Sequence, residues 1–185
     1  LSMPKPVLID ADGGVFRLKS GHKVPTLRVN SYQDVLDLLD SRELDGFNTL
    51  VIDTVGKLLD FMSVHIIEDK KSMGTSNGIL SLQGYAVRKA LFLALLTKIK
   101  KIGMHVMFVA HDVEEKAKSM RGEDIITHRP DIGGSTKQDI MKDIDLVGLM
   151  VMTDDDRTVY FSPKEAFYAK NSAGIENVLK IPRLA

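Results

Sequence analysis

Residues 49–53 read Thr-Leu-Val-Ile-Asp (TLVID), a short apolar run that stops on a carboxylate. Consecutive rather than alternating apolar residues are the pattern of a strand buried on both faces. Working outward, Pro6–Asp10 (PVLID) repeats the pattern and runs into Ala11-Asp12-Gly13-Gly14, and residues 104–110 (MHVMFVA) repeat it again before His111-Asp112. Helical spacing fills the gaps. Ser31, with Asp34 three residues on, makes a capping-box-like start for a helix whose apolar residues are Val35, Leu36, Leu38 and Leu39. Residues 56–67 read as a helix with Leu58, Leu59, Met62 and Ile66 inward. Residues 85–102 read as another, with Val87, Leu91, Ala94, Leu95 and Ile99 at helical spacing and Gly103 as its stop. Buried strands alternating with amphipathic helices predict an α/β fold, a mostly parallel central sheet flanked by helices. In such sheets ligands gather at the carboxyl ends of the strands. The polar groups delivered there are Asp10, Asp12, Asp53 and His111.

The remaining stretches are more polar. Residues 15–29, with Gly21 and Pro25, read as an edge excursion or hairpin. Residues 68–84 read as a mobile loop, and residues 113–136 as a long functional loop. Residues 144–152 form a fourth apolar strand, Asp154-Asp155-Asp156 a turn, and residues 158–162 the returning strand. This predicts an antiparallel hairpin near the C-terminus. No linker divides the 185 residues, which are read as a single domain.

Composition narrows the partners. The chain has 25 basic and 25 acidic residues and no formal net charge, so any nucleic-acid contact must be local rather than a general basic surface. No run approaches the roughly 20 apolar residues of a membrane span. The absence of cysteine excludes disulfides and zinc-thiolate sites and favours an intracellular, cytoplasmic setting. Leu1-Ser2-Met3-Pro4 reads as a helix tail stopped by proline, an expectation that the chain begins within a fold.

The ordered set PVLIDAD, TLVID, MHVMFVAH and AKNSAG resembles the RecA-like ATPase core, closest to small phage-encoded RecA-like proteins tied to single-strand annealing and recombination. The resemblance runs from Pro4 to about Gly174. It implies ATP and Mg²⁺ as ligands, ATP hydrolysis, single-stranded DNA as partner, a homo-oligomer, and a role in phage DNA recombination in the host cytoplasm. Asp53 is similar to the aspartate that holds Mg²⁺, usually through water. Asp12, or failing it Asp10, corresponds to the carboxylate that deprotonates the attacking water, and His111 to a polar sensor of the γ-phosphate. Lys170-Asn171 with Gly174 resembles a K-[ND]-R-x-G element that offers a lysine to nucleotide across subunits, with Ser172 replacing the arginine. The stretches 68–84 and 113–136 correspond in position to DNA-contacting loops, the second offering Lys116, Lys118 and Arg121. The loop G-x-x-x-x-G-K-[ST] does not occur in the sequence, and the resemblance implies it within roughly 20 residues ahead of Leu1.

Two other readings compete. Asp10-Ala11-Asp12-Gly13 also resembles the opening of haloacid-dehalogenase-like phosphatases, with Asp154-Asp155-Asp156 as their metal motif. That reading needs a helix after the acidic cluster and leaves TLVID, FVAH and AKN unexplained. The other is a nucleotide-binding recombination mediator without turnover.

Overall fold

The chain is described by a computed structural model covering residues 3–15, 24–133, 136–153 and 156–181. Its backbone divides into two compact units, Ser2–His111 and Asp112–Ala185.

The first unit is built on a parallel sheet of four strands. These are β1 (Pro6–Asp10), β2 (Thr26–Arg28), β3 (Thr49–Asp53) and β4 (His105–Val109), in the order β2-β1-β3-β4. Helix α1 (Tyr32–Asp40) connects β2 to β3, and α2 (Val55–Asp69) and α3 (Leu82–Ile102) connect β3 to β4. The apolar runs that identified β1 and β3 are buried as their pattern requires, with Val7, Leu50, Ile9 and Ile52 at 1% exposure or less. Val35 of α1, Leu58 and Met62 of α2 and Phe92 of α3 complete this core. Serine and threonine hydroxyls start all three helices: Ser31 accepts from Asp34 N, Thr54 from Lys57 N and Ser81 from Gly84 N.

Several expectations need correction here. Of the two readings of residues 15–29, the hairpin is excluded and the edge excursion agrees with the fold: Thr26–Arg28 pairs parallel to β1 at the sheet edge, and residues 16–23 lie outside the described residues. The stretch 68–84 is not an open loop. It comprises the end of α2, a 3-10 turn at Lys71–Met73, a bridge between Gly74 and Leu80, and the first residues of α3. β4 is only half-buried rather than sealed, because no strand lies beyond it among the described residues. The buried stripe of α3 is Gly84, Arg88, Phe92, Leu95, Leu96 and Ile99, while Val87 and Ala94 face outward. Gly84 sets this phase, since a Cβ there would lie 2.4 Å from the Met73 carbonyl oxygen. Arg88 enters the stripe because its guanidinium donates to Ser63 Oγ at 3.1 Å and sits 4.8 Å from the Tyr85 ring centroid.

The second unit is antiparallel. Its most extended feature is a ribbon of β5 (Asp112–Lys118) and β6 (Asp124–Pro130), paired along seven residues where a long loop was expected. Along β5, half-buried Val113, Glu115 and Ala117 alternate with exposed Glu114, Lys116 and Lys118, a period-two pattern masked by charge on both faces. Ser119 closes the turn: its hydroxyl accepts from Arg121 N and Glu123 N, and Gly122 supplies the positive φ of 83°.

Helix α4 (Thr136–Asp143) follows. The apolar run 144–152 is not one strand. It breaks at Gly148, where a Cβ would meet the Val159 and Phe161 side chains at 2.6 and 2.8 Å. Before the break, β7 (Leu146–Val147) pairs with β10 (Lys170–Asn171). After it, β8 (Leu149–Thr153) pairs with β9 (Asp156–Tyr160), which pairs in turn with β11 (Val178–Ile181). The antiparallel hairpin near the C-terminus is therefore present. A strand, not a helix, follows residues 154 and 155, which themselves lie outside the described residues. The phosphatase reading loses the helix it needs there.

Candidate functional site

The carboxyl edge of the parallel sheet gathers four of the residues marked in the sequence. β1 and β3 are in register, with Asp10 beside Asp53, and β4 places Val109 next to Asp53 on its other side. The chain leaving β1 bends over this edge. Ala11 N and Asp12 N both donate to the Asp53 carbonyl, at 2.8 and 3.3 Å.

The three aspartates differ in their surroundings. Asp10 is 1% exposed, and its carboxylate accepts from Gly13 N at 2.8 Å, Gly14 N at 3.1 Å and Val15 N at 3.4 Å. It acts as a clamp on the loop that carries Asp12. Asp10→Ala leaves these donors without their acceptor and is expected to lower stability by about 1–3 kcal/mol. Asp10→Asn, which keeps one acceptor oxygen, should be milder. Chemical denaturation of both variants checks the order, and equal stability of Asp10→Ala and the parent would exclude the clamp.

Asp12 is exposed at the lip of the edge. Asp53 is half-buried, and its carboxyl is pushed above the usual range, first by burial and then by the negative charges of Asp10 and Asp12. His111, exposed two residues past β4, acts in the opposite direction and favours the carboxylate. The arrangement is a concentration of negative charge on one half-buried oxygen pair.

Directly after Asp53 comes the N-terminus of α2. The Asp53–Thr54 peptide bond is cis. Thr54 is buried, caps the helix through its hydroxyl, and accepts from Leu58 N at 3.1 Å through its carbonyl. The free backbone N–H groups of a helix start favour anions. Thr54 and Lys57, which stands in the first turn, were not singled out in the sequence. The signal was available as a threonine N-cap directly behind a strand-end aspartate.

A hard cation suits this edge chemically, because every nearby anionic donor is a carboxylate oxygen. Among the described residues no cluster of three His, Asp or Glu could hold a metal ion alone. Mg²⁺ is commonly held by one or two carboxylates together with phosphates and water. Asp53 fits that part better than Asp10, whose oxygens are engaged by backbone N–H groups.

The other marked residues belong to the second unit. Lys170 Nζ donates to the carbonyls of Met141 and Lys142, at 3.2 and 3.0 Å, and so caps the C-terminal end of α4. Lys116 and Lys118 project from the exposed face of β5, Lys118 paired with Asp124 at 2.7 Å. Arg121 is exposed in the turn beside Met120. No helix among the described residues is long and apolar enough to cross a membrane.

Against known proteins, a family model described as an AAA domain matches residues 1–173. No curated protein and no solved structure matches the chain.

Proposed function

Because the chain belongs to the AAA domain family, a nucleotide-binding ATPase type of domain, we propose that it serves a Mg²⁺-dependent ATPase acting on single-stranded DNA in phage recombination or strand annealing. The observation that supports this most is the in-register pair Asp10 and Asp53, with Asp12 and His111 at the same sheet edge. In this reading Asp53 holds the cation, directly or through water. Bound Mg²⁺ would neutralise charge on the phosphates it bridges. Asp12 accepts the proton of the attacking water, held in place by the Asp10 clamp. His111 donates to the terminal phosphate and relates its presence to the chain that continues into β5. Homo-oligomers, with Lys170 acting across a subunit boundary, belong to the same proposal.

The test is ATP turnover by the full-length protein, with and without Mg²⁺ and single-stranded DNA. Turnover that needs Mg²⁺ and rises with DNA supports the reading. ATP binding without turnover in either condition favours the mediator instead, and no ATP binding defeats both.

The ribbon is the proposed electrostatic contact with the strand. Replacing Lys116, Lys118 and Arg121 together with alanine should weaken binding without sequence preference. It should flatten the dependence of log affinity on log salt by up to about 2, at roughly 0.7 per lost phosphate contact. All three side chains are exposed, so the fold should be retained. An unchanged salt slope would remove the ribbon from the interface.

A further inference from the structure

The second unit contains a cavity of about 710 Å³ whose lining shares only Lys170 with these roles. That volume lies inside the roughly 300–1,000 Å³ range of small-ligand sites. Its walls include Arg129 of β6, Lys142 at the end of α4, Lys164, Phe167, Tyr168 and Lys170. The segment 112–185 carries more carboxylates than cations, yet this lining holds four cations and one carboxylate, Glu165. The positive charge is therefore concentrated locally.

Each wall is held in place. Tyr168 N donates to the His128 carbonyl at 3.3 Å, and His128 N to the Ala166 carbonyl at 2.7 Å, which ties residues 166–168 to β6. Lys164 and Phe167 exchange backbone hydrogen bonds at 3.2 and 3.1 Å, closing a tight turn. Lys164 Nζ lies 5.5 Å from the Tyr160 ring centroid and 5.9 Å from that of buried Phe167. Arg129 is paired with Glu115 at 3.2 Å. Lys170 covers the carbonyls at the end of α4, whose partial negative charge would otherwise repel an anion at this wall. Lys142, its side chain 78% exposed, stands at the rim in a long ion pair with Asp139 at 3.9 Å. Tyr168 keeps 43% of its surface exposed.

An apolar, aromatic-lined hollow rimmed with cations matches a ligand that joins a planar ring to a phosphate. We propose that this cavity receives one base of a single-stranded nucleic acid, stacked on Tyr168, with the adjoining phosphates at Lys142 and Lys164. The choice of a strand as ligand rests on the single-strand reading above, whereas the site itself rests on the cavity.

The test uses the full-length protein and an oligothymidine carrying 5-iodouracil, with affinity measured by anisotropy and the crosslinked peptide identified by mass spectrometry. Tyr168→Ala should lower affinity roughly 5- to 150-fold, the range for losing one stacked base. Tyr168→Phe should retain affinity, which a merely structural hydroxyl would not predict. Lys142→Ala, at an exposed position, should weaken binding and flatten the salt slope by about 0.7. The crosslink should fall in the peptide bearing Tyr168, in the parent and in the ribbon triple variant alike. Strand binding that survives Tyr168→Ala unchanged, or a crosslink mapping elsewhere, overturns the cavity proposal while leaving the single-strand reading standing. Failure of the parent to bind the strand at all overturns both. Thymidine monophosphate binding at the cavity in place of the oligonucleotide would make a free nucleotide the ligand and refute the strand.

Discussion

Asp53→Asn is expected to abolish Mg²⁺-dependent ATP turnover, by about 10³-fold or more, while making the folded chain more resistant to heat at neutral pH. The two effects share one cause. In the folded state the Asp53 carboxyl is pushed up by burial and by Asp10 and Asp12, so ionising it opposes folding. A group whose folded pKa lies above its unfolded value binds more protons when folded. Stability therefore falls as pH rises from the unfolded carboxylate value, near 4, through the raised folded value. Above that interval the parent carries the full penalty and Asp53→Asn carries none. Below about pH 4 both forms are neutral at this position and the difference should vanish. A strand-end side chain that is only half-buried contributes little packing, so the amide is tolerated. The cation, in contrast, loses an anionic ligand that a neutral amide replaces poorly. Melting curves from pH 3 to 8, alongside turnover at varied Mg²⁺, check both halves. Normal turnover in the variant would reject Asp53 as the metal ligand, and lower stability at pH 7 would reject the electrostatic account of the site.

The sheet was legible in the sequence because β1 and β3 are covered on both faces, and such strands carry apolar residues without alternation. Each also ends abruptly on aspartate, which made the carboxyl edge visible before any geometry. The ribbon was hidden for the opposite reason. Half-exposed on one face and charged on both, β5 holds Glu115 where an apolar residue would have revealed its period. Its pairing is set by the Ser119–Gly122 turn and by backbone bonds, which composition does not report. Helix α3 was found, with Leu95 and Ile99 in its buried stripe, but Val87 and Ala94 face outward. It bears apolar residues around much of its circumference, so the buried side was decided by Gly84 and Arg88, neither of which scores as hydrophobic. The cavity could not have been read from the sequence. Thr127, Met141, Pro163 and Tyr168 come from separate stretches and meet only through β6, the end of α4 and the turn at 164–167.

Asp12→Asn is expected to leave nucleotide binding intact and to slow turnover by ~10²–10⁴-fold, the scale of losing a general base. The geometry separates Asp12 from its neighbour in a way that the sequence did not. Both aspartates stand at the end of the same strand, but Asp10 is buried, with its oxygens turned back onto the N–H groups of Gly13, Gly14 and Val15. A carboxylate so engaged would have to surrender those bonds before taking a proton from water. Asp12 is exposed, and its backbone is fixed over the Asp53 carbonyl, so its carboxylate meets solvent at the edge. The amide keeps the shape and removes the basic oxygen, so binding and chemistry part company. KM should stay near the parent value while kcat falls, as when an interaction specific to the transition state is lost. The limb of the pH–rate profile that reports the base should disappear with it. Because Asp12 is exposed, thermal stability should change by no more than about 0.5 kcal/mol. A fall in turnover accompanied by a large loss of stability would make Asp12 a support for the loop, and unchanged kcat would remove it from the chemistry altogether.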